Sequence, residues 1–364
     1  MKRAFYRPEL DGLRFFAFLL VFLHHGMPAY ADAYAHIGVP RLLAILIAGF
    51  VRAGGAGVDL FFVLSSYLIT TLLLLEREAF GSLDVKKFWV RRILRIWPLY
   101  FTMLALTAIG LQWLPDENLS GKYVVSFAFF FGNWVCALSG FPASVAAPLW
   151  SVSVEEQFYL SWPLALRFIR TRRALLVVGA SLIAFAIVVR HLTANLGELW
   201  LWCATVCRTD TFGAGIVLAC LVDGRPTKLG GWQRAALAAT GVALLCTIGV
   251  PNLRYELALP IAEVAALAFI VATVSDGAPR WLVSAPLVYL GRISYGLYAL
   301  HRLGLALAKL CVPGNSPRSF GMSVVIGAGA TVALAALSYR FLEQPFLRLK
   351  DRFTVVASHA ARDS

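Results

Sequence analysis

The sequence predicts an all-α, polytopic integral membrane bundle of about ten transmembrane helices plus a re-entrant or interfacial segment near residues 122–138. Three observations point there. Of 364 residues, 59% are hydrophobic and 15% charged, against about 45–50% and about 25% in soluble globular chains. Stretches such as LRFFAFLLVFL at 13–23, and residues 256–274 and 321–338, are apolar on every side, which suits lipid and not water. The basic residues are also sorted. With loops assigned alternately from the N-terminus, Lys and Arg fall 22 on one side and 7 on the other, the positive-inside pattern. The net charge of +13 is therefore a topology signal with both termini cytoplasmic, and it implies no nucleic-acid partner.

The elements follow in order. MKRAFYRPELDGLRFF begins like a signal peptide, but no small-x-small site follows and His24-His25 interrupt the apolar run, so it reads as an uncleaved first span. Spans are expected at 12–30, 57–75, 92–112, 150–168, 174–190, 200–222, 235–250, 257–274, 288–307 and 321–341. KYVVSFAFFFGNWVCAL (122–138) is apolar enough to cross, yet an eleventh crossing would put the RFIRTRR cluster at 167–173 outside. It is expected to be re-entrant or to pack at the outer interface, with its backbone buried in protein. Residues 1–345 are read as one membrane domain and 346–364 as a cytoplasmic tail. No internal repeat is visible, which weakens an inverted-repeat transporter reading. Cys203 and Cys207, four apart on one face, read as small apolar packing, and no metal is expected.

An ionisable group inside a span is expensive, which makes each one a functional candidate. Arg14 and His25 are eleven residues apart, three turns plus about 20°, so they share one stripe about 16 Å apart along the axis. His24 points about 80° away and reads as a polar plug on a backbone carbonyl; His25 is the candidate for chemistry. RRILRIWPLY (91–100) stacks Arg91, Arg92 and Arg95 at the mouth of the third span. Guanidinium forks there suit a phosphate-bearing ligand, with Arg91 assigned to lipid headgroups. In PLWSVSVEEQFYLSWP (148–163), Ser151, Glu155 and Tyr159 form a polar stripe, and Glu156 lies about 100° round, toward solvent. The stripe's carboxylate orients a His, binds acceptor hydroxyls or neutralises an Arg; these readings stay open. In GRISYGLYALHRL (291–303), Ser294, Tyr298 and His301 share a face, with His301 at a depth comparable with His25, so one shared cavity is expected. The other anchors are Asp59, Glu343 as a cap on the last helix, and Arg208 with Asp210 as a structural pair.

Six segments in this order, LDGLRFFAFLLVFLHH, GVDLFFVLSSYLIT, RRILRIWPLY, LWSVSVEEQFYL, ISYGLYALH and FLEQP, resemble acyltransferase family 3 from Leu10 to Pro345. Those are bacterial inner-membrane O-acyltransferases that modify lipopolysaccharide, exopolysaccharide, nodulation factors, peptidoglycan or macrolides. The resemblance implies transfer of an acyl group, usually acetyl from acetyl-CoA, to a hydroxyl of a glycan or glycoside. It places the family's Arg-x10-His pair on Arg14 and His25, its paired basic residues on Arg92 and Arg95, and its WSLxxE element on Trp150, Ser151 and Glu155. The family's usual Ser-Gly becomes Ser65-Ser66 here, which implies an altered local kink. On this reading Arg14, Arg92 and Arg95 hold the acyl-CoA phosphates. His25 acts as general base or through an acyl-imidazole, with Glu155 or His301 orienting it. Ser151, Tyr159, Tyr298 and Asp59 face a saccharide or lipid-linked glycan acceptor, and membrane lipids surround the whole. The rival reading is a transporter or flippase of a lipid-linked glycan, the same stripes lining a permeation path; a macrolide or other glycoside is the alternative acceptor.

Overall fold

The computed structural model describes residues 5–114, 117–222, 228–275, 278–312 and 317–354; the end of the expected tail, 355–364, lies outside the described residues. Pro8 opens α1 (Pro8–Gly26), where its fixed φ suits a first helical position. The stretch expected as a loop then forms α2 (Asp32–Ala35) and α3 (Arg41–Ala53). α3 is two-faced, burying Ala44, Ala48 and Val51 while Leu42, Leu46 and Phe50 stay exposed. α4 (Ala56–Phe80) ends on Gly81, whose φ of 72° is the left-handed conformation that closes a helix. α5 (Val85–Ala105) starts on the Asp84 cap, which accepts the Lys87 N–H at 3.0 Å.

The ambiguous segment resolves into α6 (Gly121–Ala128) and α7 (Gly132–Ser139), broken at Phe130, whose φ is +58°. Eight residues reach about 12 Å, less than half of a bilayer core of about 30 Å, so neither helix crosses. Their inner faces (Tyr123, Phe127, Asn133, Cys136) are buried. Then follow α8 (Leu149–Phe168), α9 (Arg172–Leu192), α10 (Glu198–Cys203), α11 (Thr209–Val222), α12 (Gly231–Ile248), α13 (Tyr255–Thr273), α14 (Ala285–Arg292), α15 (Ser294–Cys311), α16 (Pro317–Ser338) and α17 (Gln344–Lys350).

Helices stand at every expected span position, and six of those in the described residues are long and apolar enough to cross a membrane. Two expected spans are interrupted. Residues 200–222 break at Ala204 and pass through a 3₁₀ turn, Thr205–Arg208, before α11. The Asn133 amide donates to the Cys203 carbonyl at 3.0 Å and to the Thr205 hydroxyl at 2.9 Å, capturing backbone at the break. Residues 288–307 turn at Ile293, between α14 and α15. The boundary expected at 345 falls inside α17, which packs on α5.

α4 and α11 form the centre, with 67% and 72% of their apolar windows buried, whereas the last span shows 17% and presents Val325, Ile326 and Leu337 outward. α4 is continuous through Ser65-Ser66. The Ser66 hydroxyl donates to the Phe212 carbonyl at 2.6 Å, and Gly215 on α11 supplies the space beside it. α1 is held between α4 and α14 at two points where no Cβ fits: Gly57 lies on the Ala17 carbonyl and Gly291 on the Asp11 carbonyl.

Candidate active site

Three cavities adjoin along α1. The first two, of about 60 and 90 Å³, share Arg14, Ser65, Arg92 and Arg95 in their walls. The second shares Val58 and Tyr298 with the third, a chamber of about 450 Å³ that carries His25. The polar positions expected on separate spans are thus brought onto one continuous series of walls.

At the guanidinium end, Arg14 pairs with Asp11 at 3.1 Å. Arg92 lies over the rings of Phe88 (5.4 Å) and Tyr159 (5.7 Å). Neither Arg92 nor Arg95 has an ion-pair partner among the described residues, and the Arg92 Nε is buried without any hydrogen bond. Three guanidinium groups converge on these walls against the carboxylates of Asp11 and Glu155, an excess of positive charge that suits an anion. Ser151, Glu155 and Tyr159 all line the second cavity, where the Ser65 and Tyr159 hydroxyls are hydrogen-bonded to each other in electrostatic reach of Glu155.

Two readings of this region are corrected. Glu156 does not face solvent: it is 2% exposed, and its Oε2 accepts from the Trp97 indole at 3.2 Å because α5 covers that side of α8. Arg91 is not a headgroup anchor. Its Nη2 reaches Glu76 at 2.9 Å and its Nη1 donates to the Phe353 carbonyl at 2.9 Å, both supplied by segments folded over the start of α5. Glu343 lies in a π-helical turn, Tyr339–Glu343, accepts from the Ser338 hydroxyl at 3.0 Å and is in electrostatic reach of Arg95.

Tyr298 stands in the wall shared by the second and third cavities, in the neck of side chains that separates them. Its hydroxyl is 2.7 Å from the Ser151 hydroxyl. Ser151 donates onward to the Pro148 carbonyl at 3.1 Å, so Tyr298 donates to Ser151.

Beyond the neck, His25 Nδ1 and His301 Nε2 are 3.0 Å apart. His301 is fully buried behind His25, so the two rings touch but only His25 forms the chamber wall. His301 Nδ1 is 2.6 Å from the Tyr298 carbonyl. A carbonyl only accepts, so Nδ1 carries the proton, and in the neutral ring Nε2 is the acceptor. His25 must then donate from Nδ1, which leaves the His25 Nε2 lone pair free. His24 turns aside, its Nδ1 2.9 Å from the Val51 carbonyl.

The pairing of Arg208 with Asp210 is also corrected. Arg208 binds Asp59 at 2.5 Å and is stacked between Phe62 (5.5 Å) and Trp202 (5.0 Å). Asp210 instead pairs with Arg190, with Glu263 in electrostatic reach. The 3₁₀ turn directs Arg208 toward α4, while the first turn of α11 directs Asp210 toward α9. Asp59 borders the chamber with Oδ1 committed to Arg208. Cys203 and Cys207 are buried, and no metal-ligating cluster occurs among the described residues. Sequence reasoning missed Arg190, Glu263 and the Trp97–Glu156 contact. Glu263, the one acid within 257–274, carried a usable signal.

No solved structure matches this fold significantly. Peptidoglycan O-acetyltransferase OatA of Listeria monocytogenes is 28% identical over 374 residues, covering 93% of this chain and 56% of its own length. O-acetyltransferase OatA of Staphylococcus aureus is 27% identical over 368 residues, covering 93% of this chain and 57% of its own. The chain therefore spans a little over half the length of these curated relatives. An acyltransferase-domain family description matches residues 7–340, across the arginine cavities, the neck and the His25 chamber, and by that match the chain belongs to acyltransferase family 3.

Proposed function

We propose that the protein is a membrane O-acyltransferase that moves an acetyl group from acetyl-CoA to a hydroxyl of a cell-envelope saccharide. The observation that carries this reading is the His25 Nε2 lone pair at the wall of a chamber that adjoins, across Tyr298, the cavity lined by Arg92 and Arg95, which have no carboxylate ion pair among the described residues. The relatives' printed names, O-acetyltransferase and peptidoglycan O-acetyltransferase, supply the acyl group and the acceptor class.

Arg92, Arg95 and Arg14 would take the phosphates of the donor at the cytoplasmic mouth, and the thioester would extend toward the neck. The acceptor enters the large chamber. His25 Nε2 takes the proton of its hydroxyl as the oxygen attacks the thioester carbonyl carbon. The C–S bond then breaks, and the proton passes from His25 to the departing thiolate, leaving an O-acyl ester and free coenzyme A. The Tyr298 hydroxyl at the neck would turn from Ser151 to donate to the carbonyl oxygen as it gains charge. His301 holds the His25 tautomer.

Membranes containing the protein, supplied with radiolabelled acetyl-CoA, should transfer label to envelope glycan. His25→Ala should abolish transfer while the protein still accumulates in the membrane. Label transfer by that variant at the native rate would refute the assigned base. Transport of glycan without any labelling would favour the flippase instead.

A further inference from the structure

The His25 chamber carries a cation that the proposed chemistry leaves unused. Arg302 follows His301 on α15, borders the chamber and acts electrostatically on both His25 and His301. It has no ion pair or hydrogen bond among the described residues. Glu117 is in electrostatic reach of it, but that carboxylate is taken by the Ser144 hydroxyl and by the Val145 N–H at 2.8 Å.

Arg52 enters the same chamber from α3. Its Nε and Nη1 are spent on the Gly249 (2.8 Å) and Ala29 (2.5 Å) carbonyls, and it too has no carboxylate ion pair among the described residues. The acids on this wall do not balance the two. Asp59 is neutralised by Arg208, and Glu198 stands exposed at the rim. The chamber therefore holds an excess of positive charge beside the imidazole. A guanidinium kept inside a membrane bundle without a counter-ion is costly unless a ligand supplies one.

We propose that the chamber takes an anionic saccharide, with a carboxylate or phosphate on the sugar held by Arg302 so that a neighbouring hydroxyl meets His25. This rests on the reading of the chamber as the acceptor site. The bidentate fork of Arg302 fixes the anion's direction as well as its distance. Trp150, Trp202 and Tyr255 line the same walls and supply aromatic surface for a sugar ring. Arg52, farther along the wall, strengthens the field that draws the anion in.

The test uses the full chain in lipid nanodiscs and follows its tryptophan fluorescence. Three probes are titrated: a glucuronate-terminated disaccharide, a disaccharide phosphate, and an uncharged disaccharide of the same size. At least one anionic probe should bind roughly 10- to 100-fold more tightly than the neutral one, the range for one charge-assisted contact. Whichever anion binds better identifies the source of the charge. Arg302→Gln should erase the preference and Arg302→Lys should keep part of it, while His25→Ala should leave it intact. Equal binding of all three probes, no binding of any, or a preference that survives Arg302→Gln would overturn the proposal. The two readings fail separately. Acetyl transfer without anion preference sinks only this inference, and anion preference without acetyl transfer sinks only the catalytic one.

Discussion

Replacing His301 isolates the orienting step from the base itself. The His301 ring meets the His25 imidazole by one 3.0 Å contact between Nε2 and Nδ1. In His301→Ala the His25 Nδ1–H loses its acceptor, and a donor deprived of its protein partner costs about 1–3 kcal/mol. At about 1.4 kcal/mol per factor of ten, that is a roughly 5- to 150-fold fall in kcat. Loss of the base in His25→Ala should cost roughly 10²- to 10⁴-fold, so His301→Ala should be the milder lesion. KM for acetyl-CoA should not move, because the arginine cavities lie beyond the neck. His301→Gln returns an acceptor oxygen to the same place and should recover part of the rate. Initial rates of label transfer at saturating donor, in protein whose thermal unfolding is shown to be native-like, decide the matter. A near-native rate in His301→Ala, or a Gln variant no better than Ala, would refute the tautomer argument.

Arg95→Ala should raise KM for acetyl-CoA by roughly 10- to 100-fold yet leave KM for S-acetylpantetheine, which lacks the nucleotide, unchanged; steady-state kinetics with the two donors checks this. Asp59→Asn strands the buried Arg208 guanidinium and should cost about 3–5 kcal/mol, seen as a lowered Tm. The double variant Asp59→Leu with Arg208→Met should recover most of that loss, since a well-packed apolar pair can replace a buried ion pair. Asp84→Ala removes the cap of α5 at an exposed site, worth about 0.5 kcal/mol. The Lys87 backbone N–H, then its ammonium, holds the Asp84 carboxyl below the usual carboxylate range. The cap is therefore complete above the unfolded value of about 4 and fades as pH falls through the acid range. A Tm-against-pH profile should flatten at its acid end in Asp84→Asn.

The bundle was legible because lipid exposure writes itself into composition and loop charge. The Arg14–His25 stripe and the Ser151–Glu155–Tyr159 stripe were legible because residues on one helix obey that helix's own period. Contacts between helices carry no such period. Nothing within α8 says that α5 will cover Glu156, and nothing near Arg208 says that its partner is Asp59, 149 residues away. The break at Ala204 depends on Asn133, which comes from another element. The helix at Arg41–Ala53 went unread because alternate loop assignment placed it outside the membrane, although its two-faced pattern was present.

The backbone grip on α1 at Gly57 and Gly291 has a consequence for donor choice. On the proposed roles, one rod bears both the arginine for the nucleotide and the imidazole for the acyl transfer, and its grip at Asp11 and Ala17 keeps the two at a set separation. Such a part works as a caliper: an activated acetyl group on a shorter handle, such as acetyl phosphate, would be grasped at one jaw and never arrive at the other.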